Sequence, residues 1–399
     1  MCRTANSDWF SYQTQTFARM RFYSYLNSAK TILGEYDGSI PFAAWLKQHF
    51  KSHKKFGSRD RKIVSNLCYS YFRLGKLFNE KSVEDRLIRA QFLCHDDSEL
   101  IKELKPEWGG HLTKSIDEKL NLLKAETDLV FPFVDELSDE IEKHTFVRSH
   151  LIQPDLFLRI RPGKQKTVIQ KLEQAAVSFS IEGDCIRVSN ATKIDEVLEV
   201  DTEVVVQDKS SQQVINPFKE HWKQNQFMSW DCCAASGGKT ILLYDHFPKA
   251  QLTVSDIRES ILLNLKNRFG RAGIQQYQSF IADVSSSQFS LNKKFDIIIC
   301  DAPCSGSGTW GRTPEQLSFF QKEKIDYYAD LQKRIAVNAS GQLKQGGCLL
   351  YITCSVFKKE NEDVVANILV DTNLQLLKQE YFKGYTEKAD TLFAALFSL

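Results

Sequence analysis

Two cysteines sit inside dense motifs. Cys304 lies in Asp301-Ala302-Pro303-Cys304-Ser305-Gly306-Ser307-Gly308, and Cys354 in Tyr351-Ile352-Thr353-Cys354-Ser355. A thiolate is both a strong nucleophile and a competent leaving group. Two thiols brought to one crevice suit a reaction that must attack a ring and later release it, and methylation at carbon 5 of a cytosine is such a reaction. Carbon 5 is a poor nucleophile. Addition of a thiolate to carbon 6 turns the ring into an enamine, and carbon 5 then attacks the methyl of a sulfonium donor. The carbon-5 proton must afterwards leave and the thiol be expelled, and a second thiol can assist there. The residues alone leave open which cysteine attacks and which assists.

Each motif follows an apolar run, Phe295 to Cys300 before the first and Cys348 to Ile352 before the second. Such runs read as buried strands of a parallel sheet, whose carboxyl edge is where open α/β sheets bind ligands. From Met228 onward, strands and helices alternate. Strands are expected over 227–234, 251–256, 277–283, 295–301 and 347–354, with helices over 239–246, 261–269, 327–342 and 360–369. Two more strands, 374–381 and 392–397, complete a seven-stranded, doubly wound α/β sheet of Rossmann-like type. Residues 10–145 carry apolar positions at helical spacing over 17–33, 40–50, 59–77, 83–93 and 112–123. Between these regions, a strand (156–160), a helix (167–176) and strands at 185–188 and 204–206 suggest a small α/β module. The expected domains are therefore 1–145 (all-helical), 150–220 (small α/β) and 221–399 (catalytic).

The first strand–turn–helix of the catalytic region reads Asp231-Cys232-Cys233-Ala234-Ala235-Ser236-Gly237-Gly238-Lys239-Thr240. Paired glycines at a strand's end let a ligand approach the backbone and the helix N-terminus. A phosphate-binding Walker loop is excluded, because position 233 carries cysteine where that loop needs glycine. A dinucleotide fingerprint is excluded by the absence of G-x-G-x-x-G here. S-adenosyl-L-methionine remains. Asp256, ending the second strand, is positioned for the ribose hydroxyls, and Asp283, after the third, for the adenine edge. A helix N-cap is the alternative role for each aspartate. The expected cofactor set is Cys233, Ala234, Ala235, Ser236, Gly237, Gly238, Lys239, Asp256, Arg258, Asp283 and Asp301.

The 399 residues contain ten cysteines without any C-x-x-C spacing, which disfavours a metal centre or a disulfide framework and suits a reducing cytoplasm. The first ten residues lack the basic-then-apolar pattern of a secretory signal, and no apolar run reaches the roughly 18 residues of a membrane span. His49 and His53, at i and i+4, have no third ligand nearby and read as a solvated pair rather than a metal site. Charge is uneven: residues 1–76 hold 13 Lys/Arg against 4 Asp/Glu, and residues 77–150 hold 10 against 17. The densest basic run, Lys47 to Lys62, suits a phosphate backbone as well as a solvated helix end.

At this point the chain resembles the Sun/Nop family of RNA cytosine-C5 methyltransferases, and within it the bacterial RsmB-like proteins. The resemblance lies in VQDKSSQ (206–212), DCCAASGGKT (231–240), VSDI (254–257), IADVSS (281–286), DAPCSGSGTWGRTPE (301–315), YITCSVFKKENEDVV (351–365) and LFAALF (392–397). GSRDRKIVSNLCYSYFRLG (57–75) is similar to a helix of the NusB-like RNA-binding domain of RsmB-like members. The resemblance implies a class I methyltransferase fold, an RRM-like module and a NusB-like domain. It assigns Cys354 as the nucleophile, Cys304 as the group assisting product release, Asp301 to the junction of donor and target base, and Lys239 to the catalytic pocket. It implies ribosomal RNA as the substrate, 16S RNA first, with transfer RNA as the nearest alternative, and a monomer that needs neither metal nor membrane. Ser236 departs from the family's usual proline, and Lys209 from a usual acidic residue. An amino-group methyltransferase is disfavoured, since position 304 carries cysteine rather than an amine-holding Pro-Pro-aromatic motif. A non-catalytic RNA-binding assembly factor is the rival from another class.

Overall fold

The structure, a computed structural model, describes the backbone of residues 5–399 and the side chains from Arg19 onward. It divides into two compact units. The first comprises the described residues to Val134 together with Lys143–Gln153 and Trp310–Phe320; the second comprises Asp135–Glu142, Pro154–Thr309 and Gln321–Leu399. This partition differs from the three expected segments. The small α/β module falls in the second unit, and eleven residues from the catalytic region (310–320) complete the first.

The first unit is helical, with its longest helices at Ala5–Glu35, Phe42–Ser52, Ser58–Arg73 and Val83–Cys94. The starts obey local chemistry. The Ser82 hydroxyl accepts the Asp85 N–H, and Ser115 and Glu118 form a reciprocal capping box. Phe42, Leu67, Leu87, Phe92, Phe131 and Trp310 are buried in its interior. Trp310 reaches this core from the far part of the sequence, its ring 5.6 Å from that of Phe131 and 5.7 Å from that of Phe133. The buried Arg73 guanidinium donates to the carbonyls of His150, Ile152 and Gly311 and to the Gln153 side chain, gathering three chain segments. His49 is not solvated as expected: it is buried, stacked 5.1 Å from Trp45 and 4.1 Å from His53.

In the second unit, strands β1 (Leu156–Ile160), β2 (Phe179–Glu182), β3 (Cys185–Val188) and β4 (Val204–Val206) form an antiparallel sheet in the order β2-β3-β1-β4. One helix, Gln165–Gln174, covers it through Val168 and Leu172. The larger sheet contains β5 (Met228–Asp231), β6 (Gln251–Asp256), β7 (Tyr277–Ile281), β8 (Phe295–Asp301), β9 (Leu343–Thr353), β10 (Gln375–Lys383) and β11 (Thr391–Ser398). Its order is β10-β11-β9-β8-β5-β6-β7. β7, β6, β5, β8 and β9 run parallel, whereas β11 pairs antiparallel with both β9 and β10. The sheet is therefore mixed, because β11 inserts between β9 and β10 rather than extending the parallel series. The seven strands and Rossmann-like winding otherwise match the expectation.

The apolar runs have a direct explanation. Along β8, Ile297 and Ile299 enter one buried cluster while Ile298 and Cys300 enter another on the opposite face, and along β9 Leu350 and Ile352 alternate with Leu349 and Tyr351 in the same way. Helices cover both faces, so neither face can be polar. The strand order reverses between β5 and β8, which places a crevice at their carboxyl ends. Asp231 ends one of these strands and Asp301 the other.

Candidate active site

Between Asp231 and the helix Gly238–His246 the chain makes a tight turn. Gly237 holds φ at +85°, and a Cβ there would lie 2.5 Å from the Phe269 ring, so only glycine fits. Ala235 is also left-handed, at φ +46°, an uncommon conformation for a side-chain-bearing residue. Asp256 accepts the Ala235 N–H at 3.0 Å and so ties the end of β6 to the turn. The same carboxylate takes the backbone N–H and the Nε of Arg258, each at 3.0 Å. Burial pushes this carboxyl up, but Arg258 and the backbone donors outweigh burial and hold it below the usual range. Asp231 accepts the Thr240 hydroxyl at 2.7 Å on one oxygen, while its other oxygen is buried with no hydrogen-bond partner among the described residues. Burial pushes its carboxyl up to about 7.

Asp283 is exposed, two residues beyond β7, and accepts the N–H and hydroxyl of Ser285 at 3.0 and 2.6 Å. It thus closes an Asx turn rather than capping a helix. Ile257 and Ile281 are both exposed, at the carboxyl ends of β6 and β7. Carboxylates at two strand ends, exposed apolar side chains beside them, and a backbone turn that admits only glycine fit a nucleoside carrying a short polar chain.

The two motif cysteines meet: the Sγ atoms of Cys304 and Cys354 are 3.2 Å apart. Their loops interlock, since the Gly308 N–H donates to the Cys354 carbonyl at 2.9 Å. A Cβ on Gly308 would lie 2.0 Å from the Thr391 carbonyl. Cys304 is pushed well above the ordinary thiol range, first by its hydrogen bond to Cys354, then by burial and the nearby charges of Cys354 and Glu360. Lys239 donates to Asp301 at 3.0 Å. Burial favours the neutral amine, but the Asp301 carboxylate outweighs it and raises Lys239 above its ordinary value, so the lysine stays charged.

A cavity of about 330 Å³ brings together Ala234, Ala235, Ser236, Gly238, Lys239, Asp301 and Cys354. Cys233, Gly237, Asp256, Arg258, Asp283 and Cys304 of the expected set lie outside its lining. Arg268, which the sequence reading missed, does line it.

Glu360 is another residue the sequence reading passed over. It is buried, and its carboxylate accepts the Ser305 N–H at 2.9 Å, the Gln332 amide at 2.8 Å and the Ser355 hydroxyl at 2.8 Å. It thereby fixes the residue after each motif cysteine. Its position inside YITCSVFKKENEDVV, six residues past Cys354, was the available signal. Cys232 and Cys300 are buried in one apolar cluster, and Cys233 packs against it. Lys209, the second departure from the family pattern, pairs with Glu182 and Glu387 at 2.8 and 2.5 Å.

This geometry agrees with what the chain is similar to. Residues 219–393 match the family described as 16S rRNA methyltransferase RsmB/F. A ribosomal RNA small subunit methyltransferase B of Proteus mirabilis is 34% identical over 166 residues, which is 42% of this chain and 39% of that protein. The matched stretch thus spans about two fifths of that relative's length. Among solved structures, PH0851 superposes with a TM-score of 0.68 at 21% identity, covering 92% of this chain and 96% of that one. A methyltransferase homologue from Pyrococcus horikoshii gives 0.56 at 20% identity, covering 70% and 97%. These two likenesses show that the fold is shared. The matched stretch contains both cysteine motifs, the glycine turn and the strand ends that carry Asp256 and Asp301.

Proposed function

We propose that the chain methylates carbon 5 of a cytosine in RNA, with 16S ribosomal RNA as the substrate and S-adenosyl-L-methionine as the donor. The observation that carries this reading is the 3.2 Å approach of the Cys304 and Cys354 sulfurs beside Asp301 and Lys239. The donor supplies an electrophilic methyl group when bound. The turn Cys233–Gly238, with Asp256, Arg258 and Asp283, holds it, and Ile257 offers an apolar face to its adenine.

Cys354 adds to carbon 6 of the cytosine. Cys304 serves the elimination: after methyl transfer the carbon-5 proton passes to the Cys304 sulfur, which acts as a thiolate at that step, and the C–H electron pair restores the 5,6 double bond as Cys354 leaves carbon 6 as a thiolate. The Asp301 carboxylate accepts from the exocyclic amine of the ring, and Lys239 holds that carboxylate in place. Such a base must leave any stack, so a looped or unpaired cytosine is the target. The helical unit contributes RNA affinity through Lys51, Lys54, Lys55, Arg59 and Lys62, all exposed.

The test is methylation of unmodified 16S and transfer RNA by the purified protein with isotopically labelled donor, followed by nucleoside analysis. Label in 5-methylcytidine from 16S RNA is expected. Label in a methylated exocyclic amine, or in transfer RNA alone, overturns the corresponding part of the reading.

A further inference from the structure

The donor-binding turn carries serine at position 236, and that serine is clamped. The Arg268 Nη1 donates to the Ser236 hydroxyl at 2.9 Å and to its carbonyl at 3.2 Å. The other edge of the same guanidinium grips Asp201, with Nη2 at 2.8 Å and Nε at 3.1 Å from Oδ1. Asp201 is 1% exposed, sits at φ +69°, and takes a second arginine, Arg271, at 2.7 Å. It belongs to the loop entering β4 of the small α/β module, and Arg161 of that module donates to its carbonyl at 2.6 Å. Arg161 also reaches Asp245 on the helix that opens at the turn, and the Ala272 carbonyl beyond Arg271.

We infer that Arg268 is a positioning residue for the donor site: anchored on Asp201, it holds the turn through Ser236 and supplies the rigidity that a proline ring would give at that position. The inference rests on the donor-site reading above. Two physical points support it. Ala235 beside the serine is already in an uncommon left-handed conformation, which persists only if its surroundings enforce it. A guanidinium has a planar fork that can bridge two partners in fixed geometry, which an ammonium cannot. The small module thus helps to build the donor site from behind the turn, besides lining the cavity through Val205 and Val206.

The experiment is a double-mutant cycle on the full chain between Arg268→Lys, which keeps a charge for Asp201 but loses the fork, and Ser236→Pro. S-adenosyl-L-methionine affinity is measured by calorimetry, and amide exchange across residues 232–238 is measured in donor-free protein. Arg268→Lys in the serine background is expected to weaken donor binding by about tenfold or more, the range of a lost charged hydrogen bond, and to speed exchange in the turn. In the Ser236→Pro background the same change is expected to cost less than about threefold and to leave exchange slow. Ser236→Ala, with the fold checked by thermal melting, should reproduce part of the Arg268→Lys loss. An equal loss in both backgrounds overturns the inference and assigns Arg268 to the donor itself. Wild-type protein that binds no donor sinks the donor-site reading instead, and the exchange data still decide whether the clamp exists.

Discussion

Glu360 accepts a hydrogen bond from the backbone N–H of Ser305 at 2.9 Å, across 55 residues of sequence. The other oxygen of that carboxylate takes the hydroxyl of Ser355 at 2.8 Å. One buried group therefore grips the chain immediately after Cys304 and immediately after Cys354. The register of the two sulfurs is set behind them as well as by the strands that carry them.

Glu360→Ala should leave donor affinity within about twofold and lower kcat by roughly 100-fold, the cost of misplacing reacting groups by about an ångström. The Ser305 N–H, the Ser355 hydroxyl and the Gln332 amide would lose their acceptor, each at about 1–3 kcal/mol when buried, so the melting temperature should fall too. Glu360→Gln, which keeps an acceptor, should recover part of the rate. Single-turnover kinetics and calorimetry separate the two effects. A large loss of donor affinity with kcat intact would move Glu360 out of the cysteine machinery.

The two cysteines should fail differently. Cys354→Ala is expected to abolish both methyl transfer and any covalent adduct. Cys304→Ala is expected to attack and methylate, then stall with RNA joined to Cys354 by a thioether that survives denaturation. A denaturing gel with labelled RNA reads the outcome directly. An adduct in Cys354→Ala and none in Cys304→Ala would exchange the roles.

Asp231 links stability to pH. Its folded-state pKa of about 7 lies above the ordinary 3.8, so in this window the folded protein binds a proton that the unfolded chain has released. The resulting stability is complete below the unfolded value and is lost as pH rises towards 7. Asp231→Asn keeps an acceptor for Thr240 and removes the titration. Its stability relative to wild type should therefore improve between about pH 4 and pH 8, as followed by chemical denaturation across that range. A difference that stays constant with pH would show that Asp231 titrates in its ordinary range.

Asp256 and Asp283 are expected to contribute unequally to donor binding. Asp256→Ala removes the acceptor that ties Ala235 to β6, and should weaken S-adenosyl-L-methionine by about 1.5–3 kcal/mol, the scale for bonds to charged groups. Asp283→Ala removes only an exposed carboxylate and its Asx turn, and a smaller loss is expected. Calorimetry of both variants decides, and undiminished affinity in both would remove these strand ends from the cofactor site.

Charge reversal at Lys51, Lys54, Lys55 and Arg59 should weaken RNA binding and flatten its salt dependence. Each phosphate that is no longer neutralised changes the slope of log K against log salt by about 0.7–0.9. The slope is the quantity to measure, because a variant that is merely less stable would bind less without changing it. Equal slopes would return this run to the role of a solvated helix end.

The seven-stranded sheet was legible mainly where its strands are buried, in β5, β6, β8, β9 and β11. β6 and β8 span the expected 251–256 and 295–301, and the turn between Asp231 and Gly238 announces itself by its glycines. β2 was missed: Phe179–Glu182 does alternate apolar and polar residues, but it is largely exposed and only four residues long, too short a run to stand out. The antiparallel entry of β11 could not be read either, since a strand buried on both faces looks the same in either direction. In the site, the residues within motifs were found, and those that act by holding the motifs were not. Glu360 and Arg268 do their work through partners 55 and 32 residues away, and no local pattern encodes a partner at that distance.

The assignment of Trp310–Phe320 to the first compact unit sets a timetable for synthesis. The helical unit is nearly all translated by residue 153, yet the Trp310 ring and the Gly311 carbonyl that Arg73 bonds reach it only after as much chain again has been made. Until then, a nascent helical unit carries an unfilled apolar slot beside Phe131 and Phe133 and a buried guanidinium short of one acceptor. A fragment ending at residue 153 would keep both defects permanently. The exposed slot is therefore open to non-native contacts for longest while the strands before the first cysteine motif are being made.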